Sequence, residues 1–217
     1  MATSAKFVDQ RGNVLPSYRH LQAAMLLDKL SISYSVVERG GKTLFLTERG
    51  EIDVDAIAPQ LSEEQPAMKT IEISDASLNF DYAHFLPSSP KCSVLHGHSS
   101  RIVVELSGFV SDDMVVEFGE AKSLVKRVLG ELDHKLIVAR RYVEANGDYI
   151  RVSFIGKGGR YVLELPSSSV YIIEGESTVE NISEHIARRI AVEVSRNVRR
   201  VVVKMFEGFG KSALSSV

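Results

Sequence analysis

Three of the six histidines fall within fifteen residues, in the string FDYAHFLPSSPKCSVLHGHSS from Phe80 to Ser100. They are His84, His96 and His98. Side chains two apart on a strand point to the same face, so His96 and His98 can offer two imidazoles to one metal ion. Gly97 between them has no side chain to block close approach. If the segment ending at His84 pairs with the one carrying His96, a third nitrogen joins them. Three histidines with no fourth protein ligand make the donor set of a catalytic zinc, whose open position takes water or a substrate oxygen. Cys92, the one cysteine of the chain, precedes His96 by four residues and could close the set as a fourth ligand. An isolated His-x-His is more often two solvated side chains on a turn. The third histidine and the nearby cysteine favour the metal.

Regular elements have to hold these groups in place. Ile71–Phe80 alternates and reads as a strand that leads into His84, and Arg101–Val110 is an apolar strand that follows His98. Gly119–Leu132 reads as a helix, with Leu124, Val128 and Leu132 four apart. Tyr149–Phe154 and Tyr161–Leu165 form a hairpin across Gly156–Gly159. Ser177 and Glu180 have the spacing of a capping box, and Ile182, Ile186, Ile190, Val194 and Val198 follow as one buried stripe. Val201–Phe206 is a closing strand. The order predicts an α+β fold, an antiparallel sheet with helices on one face.

A change of character near residue 70 divides the chain into 1–70 and 71–217. The first part reads as a small α/β extension. Its helix spans Leu15–Leu30, with Leu21, Met25, Leu26 and Leu30 on one stripe, and its hairpin joins Ile32–Val37 to Thr43–Thr47 across Gly40-Gly41. Residues 58–68, with Pro59 and Pro66, read as a linker. The bulk composition is that of a soluble globular protein, 44% hydrophobic and 25% charged. A net charge of −2 argues against a nucleic-acid binder. A single cysteine excludes an intrachain disulfide and suits a reducing compartment. Met1–Val14 has scattered charges and no apolar stretch, so no signal peptide is expected, and no run of ~18 apolar residues occurs. The expected location is the cytoplasm, with no membrane partner.

Taken in order, FDYAH, C-S-V-L-H-G-H, M-V-V-E-F, L-D-H, S-T-V-E-N and the late Glu207 resemble the 6-pyruvoyltetrahydropterin synthase family. The C-x-x-x-H-G-H form is similar to its 6-carboxytetrahydropterin synthase branch, which serves 7-deazaguanine (queuosine and archaeosine) biosynthesis. The likeness covers roughly 71–210 and leaves 1–70 outside. It implies the tunnelling fold, a homo-oligomer (a hexamer of two trimers), and a pterin triphosphate substrate, 7,8-dihydroneopterin triphosphate. It also implies roles: His84, His96 and His98 as Zn2+ ligands, and Cys92, Asp133 and His134 as catalytic groups. Glu207 anchors the pterin ring, and Thr178 is a second pterin contact.

The chemistry suits these types. A bound zinc acidifies C–H bonds beside a coordinated oxygen. A thiolate takes such a proton, an imidazole exchanges another near neutral pH, and a carboxylate accepts from a ring amide and an exocyclic amine. The chain departs from the family at Glu117, at Ser177, at Gly208 and in the tail GFGKSALSSV. The expected activity is a zinc-dependent lyase forming 6-carboxytetrahydropterin. The alternatives are 6-pyruvoyltetrahydropterin formation, cleavage to a hydroxymethyl-dihydropterin, or a non-catalytic pterin-binding module. Ser93 stands where the cleavage type has the glutamate of E-x-x-H-G-H.

Overall fold

The structure is a computed structural model that describes residues 7–57, 68–110 and 113–217. The chain forms two compact units, Met1–Pro66 and Ala67–Val217. All of the expected linker except Met68 lies outside the described residues.

In the first unit, β1 (Phe7–Val8) and β2 (Val14–Leu15) pair ahead of α1 (Tyr18–Lys29). Then β3 (Tyr34–Arg39), β4 (Lys42–Thr47) and β5 (Gly50–Asp53) form an antiparallel meander that ends in the short helix α2 (Val54–Ile57). Gly40 and Gly41 take φ of 61° and 76°, as a two-residue hairpin turn of this hand demands. The buried stripe of α1 differs from the expected one. His20, Leu21, Ala23, Ala24 and Leu27 face inward, whereas Leu26 and Leu30 are exposed. The inward face is thus centred on the small Ala23 and Ala24 between Leu21 and Leu27, and of the expected stripe only Leu21 is buried.

The second unit is built on a sheet of β6 (Met68–Ile73), β7 (Phe80–His84), β8 (His96–Phe109), β9 (Lys135–Ala139), β13 (Val170–Ile173), β14 (Val198–Glu207) and β15 (Ser212–Ser216). Its order among the described residues is β13-β9-β7-β8-β14-β15, with β6 also on β8. The expected strand at 71–80 is broken into β6 and β7, because Asp75 accepts from Ser77 N–H and starts a 3-10 turn over Ala76–Leu78. The helices α3 (Phe118–Leu132) and α4 (Val179–Glu193) bury Val125, Val128, Leu132, Ile182, Ile186 and Ile190 against Ile102, Val104, Leu106, Val203 and Met205 of the sheet. The α4 stripe stops at Ile190: Val194 leaves the helix with ψ of 158°, and Val198 already belongs to β14.

The sheet is mixed rather than wholly antiparallel, since β9 runs parallel to β7 and β13 parallel to β9. A parallel neighbour needs a crossover: along the chain β8 and α3 lie between β7 and β9, and between β9 and β13 lies a second, smaller sheet. This is β10 (Val143–Asn146), β11 (Tyr149–Gly156) and β12 (Gly159–Pro166). Its Ile150, Val152 and Phe154 cluster with Leu136 and Val138 of β9, while Ile137 belongs to the helix-side core. Both faces of β9 are therefore covered, which explains the unbroken apolar run LIVA. No described helix is long and apolar enough to cross a membrane.

Candidate metal centre

Along β8 the face that packs on the helices carries Ile102, Val104 and Leu106, and by the two-residue period it continues through Ser100, His98 and His96. On β7 the same face carries Phe80, Tyr82 and His84, and on β14 it carries Val203, Met205 and Glu207. The antiparallel register sets His84 opposite His96, and His98 opposite Tyr82. One continuous sheet face thus changes from apolar to ligating at the end of three adjacent strands. Gly97 suits the pairing, since a Cβ there would lie 3.2 Å from the Tyr82 carbonyl oxygen, a tight contact that the neighbouring strand would have to give way to.

The three imidazoles form a cup in which one ring nitrogen from each lies within 4.8 Å of the others. Their outer nitrogens decide the tautomers. His84 Nδ1 donates to Ser177 O at 2.5 Å, and His96 Nδ1 donates to Val94 O at 2.7 Å. With those protons placed outside, both Nε2 atoms present lone pairs inward, only 3.1 Å apart. His98 Nε2 is buried with no hydrogen-bond partner, and Glu207 Oε1 lies 3.4 Å from it and 3.7 Å from His84 Nε2. Burial pushes the His84 and His98 imidazoles below their ordinary range, more than the Ser177 and Glu207 contacts raise them. A lowered imidazole pKa favours the neutral ring, the form that ligates a metal. The two inward Nε2 lone pairs of His84 and His96, with the Glu207 carboxylate beside them, repel one another unless a cation sits between; the Tyr82 hydroxyl donates to Glu207 Oε1 at 3.4 Å. Imidazole nitrogens whose far N–H groups are held by backbone carbonyls are the arrangement that fits a divalent metal such as zinc.

The other expected residues occupy three places. Cys92 is half-buried on the loop between β7 and β8 and is not one of the cup ligands; its sulfur makes no hydrogen bond among the described residues. Asp133 and His134 follow α3 as an exposed pair, Oδ1 to Nδ1 at 2.9 Å. His134 takes φ of 56°, its N–H donates to Asp81 O at 2.7 Å, and Asp81 N–H donates to Asp133 Oδ1 at 2.9 Å. Partial burial works to raise the Asp133 carboxyl, but bonds from the Asp81 N–H and from His134 outweigh it and hold the group below its ordinary range. Glu207 ends β14 at a tight turn closed by its own N–H on Lys211 O at 3.0 Å. Gly208 and Gly210 take φ of 66° and 75° there, so the altered tail is a hairpin strand on the sheet edge, and glycine at 208 is a backbone requirement.

Thr178 is the residue that caps α4, accepting from Asn181 N–H at 3.3 Å. The expected cap, Ser177, is committed elsewhere: its hydroxyl donates to Phe85 O at 3.2 Å and its carbonyl receives His84. Thr178→Ala should lower stability by about 1 kcal/mol, seen as a shift in the urea midpoint, because one first-turn N–H loses its acceptor. Sequence reasoning had also missed Tyr82, whose ring packs against His84 and His98 at 5.3 and 5.8 Å. Its place two residues before His84 was the available signal.

Residues 55–215 match the family model described as 6-pyruvoyl tetrahydropterin synthase. A Haemophilus influenzae protein named 6-carboxy-5,6,7,8-tetrahydropterin synthase is 30% identical over 119 residues, 52% of this chain and 77% of its own. A Pyrococcus horikoshii protein, provisionally given the same name, is 32% identical over 132 residues, 59% of this chain and 79% of its own. The solved 6-pyruvoyl tetrahydropterin synthase of Plasmodium falciparum superposes with a TM-score of 0.60 at 22% identity, over 70% of this chain and 98% of that one. The architecture is the tunnelling fold, an α+β arrangement.

Proposed function

The chain belongs to the 6-pyruvoyl tetrahydropterin synthase family, and on that premise we propose that it is a zinc-dependent lyase converting 7,8-dihydroneopterin triphosphate to 6-carboxytetrahydropterin in 7-deazaguanine biosynthesis. A pterin synthase-type activity follows from the family. The carboxy product is supported by the names of the Haemophilus and Pyrococcus relatives, and the metal dependence by one observation: two Nε2 lone pairs held 3.1 Å apart by backbone carbonyls on the far side of each ring. In this reading His84, His96 and His98 hold the ion.

When bound, the zinc polarises side-chain oxygens of the substrate and acidifies the neighbouring C–H bonds. Cys92, outside the cup and with its sulfur free of hydrogen bonds, is the base that takes a carbon-bound proton. Asp133 accepts from His134 Nδ1, which fixes the ring and leaves Nε2 to exchange a second proton. Glu207 accepts from the ring N–H and amino group of the pterin, and its place beside His98 brings the ring next to the histidines. Thr178 keeps its O–H for a further contact to the ring while its oxygen caps α4. The proposal extends to a homo-oligomer, a hexamer, whose subunit interfaces complete the site. The exposed Asp133–His134 pair supports this, since within one chain it bonds to Asp81 and not to the cup.

The test is product analysis. Zinc-loaded protein incubated with dihydroneopterin triphosphate should release acetaldehyde and triphosphate together with 6-carboxytetrahydropterin, identified by mass spectrometry. A pyruvoyl product without acetaldehyde would move the chain to the sister activity. No turnover with ligand still bound would make it a pterin-binding module.

A further inference from the structure

The smaller sheet β10–β12 does more than complete a crossover, because its turn is bolted to the loop that carries Cys92. Ser93, the next residue, is 1% exposed, and its hydroxyl accepts from the Lys157 N–H at 2.9 Å. Gly156 lies flush against the same residue: a Cβ there would meet the Ser93 carbonyl oxygen at 2.6 Å. At the start of the loop, Phe85 stacks on Phe154 of β11 with ring centroids 3.6 Å apart and planes at 7°. Phe154 in turn stacks on Tyr161 of β12 at 4.8 Å.

Inside the loop, Leu86 N–H donates to Cys92 O at 2.6 Å, Cys92 N–H to Ser89 Oγ at 3.4 Å and Ser93 N–H to Ser89 O at 2.9 Å. These bonds set the shape of the loop. The contacts from β11 and the following turn set where that shape sits.

We infer that the β10–β12 sheet is a clamp that positions Cys92, with Ser93 and Gly156 as its contact points. Both are positioning residues, and the inference rests on reading Cys92 as the proton-transferring group. Two anchors at opposite ends of the loop, one aromatic and one polar, leave the Cys92 backbone little freedom, while its side chain stays free of hydrogen bonds. The chemistry needs such restraint, since a base displaced by about 1 Å can cost on the order of 100-fold in rate. The crossover insert thereby gains a role in the reaction although none of its residues is among the expected catalytic groups.

The experiment compares Ser93→Ala, which removes the acceptor, with Gly156→Ala, which pushes the Ser93 carbonyl away. Ile155→Ala, on the same strand but exposed, is the control. Four quantities are read on the folded, zinc-loaded chain: kcat, KM, metal content, and the rate at which iodoacetamide alkylates the protein. Cys92 is the one cysteine, so alkylation reports on that position alone. The expected result for both variants is a fall in kcat of about tenfold or more, KM little changed, metal content unchanged, and alkylation severalfold faster; the control matches wild type. Wild-type kcat and alkylation rates in both folded variants, with only a lower melting temperature, would overturn the clamp. Wild-type turnover in Cys92→Ala would instead remove Cys92 from the chemistry, and the alkylation rates would still show whether the clamp exists.

Discussion

His96→Ala is expected to leave the purified chain without metal and without turnover. Metal content should fall from about one ion per chain to near none, since three nitrogens bind a divalent ion and two on their own do so weakly. Losing an outer partner of a ligand typically costs about 10- to 100-fold in affinity or activity, so losing a ligand outright should exceed that. The fold should survive. His96 lies at the end of β8 beyond the apolar core, and its removal separates two lone pairs held 3.1 Å apart. The metal-free variant should therefore melt no lower than metal-free wild type. Elemental analysis alongside circular dichroism melting makes the check, and full metal content in a folded variant would sink the three-histidine site.

Cys92→Ala should give the opposite combination, full metal content with kcat reduced by roughly 10²- to 10⁴-fold, the usual range for a lost proton-transfer group. The structure separates the two effects because Cys92 is not among the cup ligands. A fall in metal content together with activity would mean that the thiol is a fourth ligand after all, the alternative that spacing alone had left open. The two variants thus divide binding from chemistry, and neither depends on which pterin product is formed.

The cup was legible because its ingredients are local. His96 and His98 share a face by the two-residue period of any strand, and Gly97 between them was already a sign of close backbone approach. His84 was legible as a third member of the cluster only on the condition that its strand paired with the other, and the register of β7 on β8 met that condition residue for residue. Long apolar patterns also transferred well: α3 occupies nearly its expected span, α4 forms but ends before Val194 and Val198 of the expected stripe, and the hairpins at Gly40-Gly41 and Gly156–Gly159 form as read. On α1 the stripe read from the large apolar residues was not the buried one, since choice of face belongs to what the helix packs on.

By itself the sequence determined which groups could ligate, which elements would form, and the family to which the motifs point. The tertiary structure decided what those groups meet. Ser177 resembles a cap until the Phe85 carbonyl claims its hydroxyl and His84 claims its carbonyl, which hands the cap to Thr178. Glu207 ends an apolar strand more than a hundred residues from His84, and only the strand order brings its carboxylate beside the cup. The grip of Ser93 on the 156–159 turn is likewise invisible along the chain. The physical reason is common to all three. Strand period, helix period and turn preference act over a few residues and can be read locally, whereas a contact between residues 64 to 125 positions apart exists only once strands and sheets have packed.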